Sequence, residues 1–171
     1  MNTNLARSVN RFSVIVACAL VALTVAPSVR AKTSDDQIKS AGAVELSTEL
    51  LDKMEKAAKA VIADEAARAE MAAIKPETDP DFGVAVNSKC PKTAAHLKEA
   101  EITAKELMEA TMAIMACFMD ESGDLAKSDN ETAKANAEFV KENKDRCDKV
   151  GGEVMAMGQA PDAASDSKKK P

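Results

Sequence analysis

The sequence predicts an all-α fold: a three-helix up-down-up bundle, or an elongated helical hairpin, behind a cleaved signal peptide. Three observations carry that expectation. Long stretches are dominated by Ala, Glu, Lys and Leu, all strong helix formers. Apolar residues recur within them at i, i+3/i+4, i+7 spacing. Nothing longer than the few residues around Val84 and Val86 reads as a strand.

The first 31 of 171 residues differ from the rest. Arg7 and Arg11 precede an uncharged run, Phe12 to Ala26, which Pro27 breaks. Val29 and Ala31 then occupy the −3 and −1 positions of a cleavage site. This is the charged, apolar and small-residue order of an export signal, so residues 1–31 are expected to be removed. Fifteen apolar residues rise only about 22 Å as a helix, short of a hydrocarbon core of roughly 30 Å. No stable membrane span is therefore expected after cleavage. Ile15 to Cys18 loosely resembles a lipobox, but Cys18 lies mid-run, whereas a lipidated cysteine closes such a run. The expected location is outside the cytoplasm, periplasmic or secreted.

Cleavage removes three arginines and no acid, which moves the formal charge from −5 to −8. An acidic surface repels nucleic acid. The chain has no Trp or Tyr, and only Phe82, Phe118 and Phe139 follow the signal. Base-stacking platforms are missing, so nucleic-acid binding is not expected.

The remaining domain, 32–157, is expected to hold helices at about 43–75, 92–120 and 129–157. Ser34 with Gln37 resembles a capping box, but Gly42 interrupts, so the first helix is placed from Ala43. Its stripe is Leu50, Leu51, Met54, Ala58, Val61 and Ile62, and Lys75-Pro76 closes it. Residues 76–91, with three prolines, one glycine and no helical period, read as a connecting loop strapped down by Phe82 and Val84. The second helix is expected to bury Leu97, Ala104, Met108, Met112, Met115 and Met119. Ser128 and Glu131 form a capping box for the third, whose stripe is Ala133, Ala137, Val140, Cys147, Val150 and Val154, with Gly151-Gly152 placed to kink or end it. Residues 158–171, ending in three lysines and a proline, have the composition of a disordered, solubilising tail.

Few side chains form patterns that carry chemistry. Met108, Met112, Met115 and Met119 step by four, three and four and share one helix face. With Cys117 they form a candidate soft-metal set, since thioether and thiolate select Cu(I). Residues 120–131 have the length of an EF-hand calcium loop, and Asp120, Ser122, Asp124, Ser128 and Glu131 fall at ligand positions. The resemblance fails at the required glycine, where Leu125 stands, and at the aliphatic position, where Lys127 stands. His96 is the single histidine, and no haem-attachment pattern accompanies it, so no cofactor is expected. Asn130-Glu131-Thr132 is a glycosylation sequon that doubles as helix capping.

Cys90, Cys117 and Cys147 follow the signal, an odd number for an oxidising compartment. In a straight hairpin turning near Asp124, Cys117 and Cys147 would be offset by about 24 Å, far beyond the roughly 7 Å that a disulfide spans. Cys90 with Cys147 is the least mismatched intramolecular pair.

No phosphate loop, metalloprotease helix, nucleophile elbow or dinucleotide fingerprint is present. The sequence points to an exported, acidic, non-enzymatic helical protein with an interaction or structural role. Its narrow alanine-rich stripes bury little bulk, so a second copy or another protein is the expected partner. Cu(I) binding on the methionine stripe and weak calcium binding at 120–131 are the alternatives.

Overall fold

A computed structural model describes residues 33–75, 78–79 and 81–159. The expected signal peptide and the expected tail beyond Gln159 lie outside the described residues. Those described are helical and contain no strand, in keeping with the all-α expectation. They form eight α-helices rather than three, because each long helix is broken at a joint and two further helices form before the first and within the expected 76–91 loop.

Helix α1 (Asp35–Ala41) starts as its sequence suggests, with the Ser34 hydroxyl accepting from the Gln37 N–H. Asp35 and Asp36 in its first turn and Lys39 in its last match the helix dipole. It ends at Gly42, where a Cβ would stand 2.4–2.8 Å from the Asn130 side chain. Any larger residue there must displace the Asn130 side chain.

Helix α2 (Thr48–Ala63) is capped by Ser47 and buries Leu51, Met54, Ala57, Ala58 and Val61. It stops at Asp64, which also begins α3 (Glu65–Ala72). The Asp64 carboxylate accepts from the N–H groups of Ala66 and Ala67, at 3.0 and 3.2 Å. Aspartate thus competes with the helix for backbone donors and breaks the expected 43–75 element.

The expected loop contains a helix, α4 (Phe82–Lys89), capped by Asp81. A single residue, Cys90, joins it to α5 (Pro91–Glu99), with Pro91 at the first helical position. Cys90 offers no side-chain cap, and the Glu70 carboxylate on α3 does that work by accepting from the Lys92 and Thr93 N–H groups. Buried Thr93 donates its hydroxyl to the Ala67 carbonyl and ties α5 to α3.

The expected 92–120 helix breaks after Glu99. The Ile102 N–H bonds the Leu97 carbonyl and the Glu101 N–H that of Lys98, a Schellman closure with Glu101 at φ 57°. Helix α6 (Ala104–Phe118) then starts on a full capping box between Thr103 and Glu106. A short 3-10 turn (Leu125–Lys127) follows. Helix α7 (Glu131–Glu142) is capped by Asn130, not Ser128, whose hydroxyl instead donates to the Leu125 carbonyl. Asn143 ends α7, and α8 (Lys144–Met157) runs straight through Gly151-Gly152.

Helix α2 packs on α8, α5 and α3, while α6 lies against α1, α4, α7 and α8. The main core joins Leu51, Met54, Val61, Leu107, Ile114 and Val150 with many alanines. Like Thr93, Asn136 is a fully buried polar side chain: it accepts from the Leu46 N–H and donates to the carbonyls of Ala41 and Val44. It secures the α1–α2 connection to α7. The stripes expected for α2 and for α7–α8 point inward as read. The stripe expected for 92–120 does so at Leu97 and Ala104 but not at its methionines.

Candidate functional site

Helix α6 buries Ala104, Leu107, Ala110, Ala113, Ile114 and Ala116. Four helices press on it, and small side chains let their backbones come close. The methionines are turned the other way. Met108, Met112 and Met119 are 39%, 47% and 56% exposed, and Met115 is half-buried between them. The four step along about 16 Å of helix at 1.5 Å per residue. This corrects the expectation that they form the buried side. They are a strip of flexible thioethers on the outside of the molecule.

Cys117 does not belong to that strip. At 100° per residue it sits about 160° around α6 from Met119 and about 140° from Met112. It packs against the core and lines a cleft of about 410 Å³ with Phe118, Ala137, Val140, Lys141 and Lys144. Burial first, then the charges of Asp120 and Cys147, push its thiol up to about 12. Cys90 and Cys147 are buried, and burial raises both thiols as well. The three cysteines among the described residues are free thiols in this structure, the expected Cys90–Cys147 pair included. Protonated thiols are poor nucleophiles and poor metal ligands at neutral pH. The methionines and Cys117 therefore do not converge on one soft-metal centre.

The 120–131 turn is organised from within. Asp120 Oδ1 accepts from the Thr33 hydroxyl (2.9 Å), the Ser122 hydroxyl (3.0 Å) and the Asp124 N–H (3.1 Å), and its Oδ2 accepts from the Leu125 N–H (3.0 Å). Burial opposes its ionisation, but these donors outweigh that penalty and hold the carboxyl below its usual value. Ser128 donates into the turn, and the exposed Glu131 pairs with Lys134 at 3.0 Å. Asp120, Ser122 and Asp124 thus gather around Thr33, while Ser128 and Glu131 bond elsewhere. Among the described residues no three His, Cys, Asp or Glu side chains gather as a metal site. His96 Nε2 lies 3.2 Å from Asp64 Oδ2, and that bond is the main reason the Asp64 carboxyl titrates low.

The exposed methionine strip is what periodicity alone missed. Its residues were legible, since they share a face, but the face was assigned to the wrong side. No helix among the described residues is long and apolar enough to cross a membrane. No protein family, curated protein or solved structure matches the chain.

Proposed function

We propose that the chain is an exported, non-enzymatic helical protein that works by association, with the methionine strip of α6 as its contact surface and a second copy of the chain as its occupant. The observation that carries this is the outward set of Met108, Met112 and Met119 beside the inward alanines of α6. Methionine surfaces adapt their shape to what they meet. An exposed apolar strip that the fold leaves uncovered marks a contact site. Alanine-rich packing supports the same reading, because small side chains bury little area and association adds to the stability of a lightly built fold. In a two-fold pairing the strip meets itself, thioether against thioether.

Light scattering on the purified chain over rising concentration tests it. A dimer is expected, and it dissociates when Met108, Met112 and Met119 are all replaced by Gln. A monomer at every concentration, or a dimer indifferent to the triple replacement, overturns the reading. The export half is tested separately by the amino-terminal residue of the product, expected to be Lys32.

The same outward thioethers favour a second reading, Cu(I) binding by the methionines without Cys117. Titration of Cu(I) against a competing chelator decides it. Affinity that survives replacement of Met108, Met112, Met115 and Met119 by Leu rejects it.

A further inference from the structure

We propose that Cys117 and Cys147 are a redox pair that closes into a disulfide joining the last turn of α6 to the first turn of α8. A straight hairpin keeps these residues far apart, but the chain does not continue straight. Asn143 ends α7, and the Lys144 ammonium lies 5.5 Å from the centre of the Phe118 ring. Phe118 follows Cys117 directly, and Lys144 is one turn ahead of Cys147. Cys117, Phe118, Val140, Lys141 and Lys144 border one cleft. Helices α6 and α8 pack directly, and Cys117 rests on the core cluster that holds Cys147. The two thiols are also close enough for the charge of one to act on the other. Cys90 is elsewhere, at the α4–α5 joint, and its charged neighbours are Glu70, Asp79 and Lys89.

Access sets the order of the chemistry. Cys117 is half-buried and borders the cleft, whereas Cys147 is fully buried. A small disulfide donor of the glutathione class reaches Cys117 first. Burial holds the Cys117 thiol up, so it reacts only through its small thiolate fraction, slowly at neutral pH and faster as pH rises: the proton leaves and the sulfur attacks one donor sulfur. The donor bond breaks, and the first leaving thiolate takes up that proton. The Cys147 sulfur then attacks the Cys117 sulfur of the mixed disulfide, expelling a second thiol that carries away the Cys147 proton. Two protein thiols are oxidised, and one donor disulfide is reduced to two thiols. Occurrence of the bridge in the cell rests on the export reading, while its chemistry in the purified chain does not.

The test is incubation of the purified chain with oxidised glutathione, alkylation under denaturant and peptide mapping without reductant. Loss of two hydrogens and a linked peptide pair containing Cys117 and Cys147 are expected, with Cys90 alkylated. In Cys147→Ala, Cys117 is expected to hold one glutathione as a trapped mixed disulfide. Free Cys117 and Cys147 after incubation, a bridge that includes Cys90, or an adduct-free Cys147→Ala overturns the pairing. None of these results touches the export reading, which is decided by the amino terminus.

Discussion

Asn136 binds Leu46 across 90 positions of sequence, its Oδ1 accepting the Leu46 N–H at 2.8 Å while its Nδ2 donates to Ala41 and Val44. A backbone segment that could not pair with itself is satisfied by one buried side chain. Replacing Asn136 by Ala leaves one N–H and two carbonyls without that partner. At about 1–3 kcal/mol for a buried unpaired group, a loss of about 3 kcal/mol or more is expected in urea unfolding.

Gly42 and Asn130 are coupled in the same region. Gly42→Ala drives a Cβ into the Asn130 side chain, which caps α7 through the Ala133 N–H. A loss of about 1–2 kcal/mol is expected, comparable with removing a cap. Combining it with Asn130→Gly should cost less than the two single changes added together, because the clash then has no partner. A thermal-unfolding double-mutant cycle reads this directly.

Glu101 holds the left-handed position of the α5 closure, at φ 57°. The conformation costs a non-glycine residue roughly 1–2 kcal/mol. Glu101→Gly is expected to stabilise the fold by about 1 kcal/mol, seen as a higher urea midpoint with an unchanged slope.

The orientation of α6 yields a contrast. At concentrations low enough to keep the chain monomeric, Met112→Gln is expected to change stability by less than about 0.5 kcal/mol, as at other exposed positions. Ile114→Ala, two residues on and fully buried, should cost about 2–5 kcal/mol. Similar losses at both positions would place the methionines inside.

Glu55 joins α2 to α8 through Lys149 at 2.7 Å and meets Lys59 at 2.6 Å. Lys149 first, then Lys59, hold its carboxyl down from 4.5 to about 2. A lowered folded value means that the stabilisation is present above pH 4.5 and lost as pH falls towards 2. The group is near the surface, so solvent screening limits this to about 1 kcal/mol. Glu55→Gln should lose that amount at pH 7 and almost nothing at pH 2.

What the sequence made legible depended on bulk and punctuation. Leu51, Met54 and Val61 recur among charges, so the buried face of α2 was legible, although its ends were not. Helix α4 is eight residues long with no clean apolar face, too short for periodicity to register. The break at Asp64 lies within a run of helix formers without Gly or Pro. The break before α6 did carry a signal, Thr103 with Glu106, hidden because the flanking residues are equally helical. Methionine outranks alanine in hydrophobicity, yet a helix pressed by four neighbours buries what is small. The sequence argument about Cys117 and Cys147 assumes one straight helix past Asn143, where the structure instead ends α7, and no local pattern signals that end.

Asp64, Cys90 and Asn143 each join two helices with no residue to spare. One inserted amino acid at such a joint would turn the following helix by about 100° and carry its apolar side away from its neighbours. Insertions are therefore expected to be tolerated in connections of several residues, such as those between α3 and α4 and between α6 and α7, and not at these three joints.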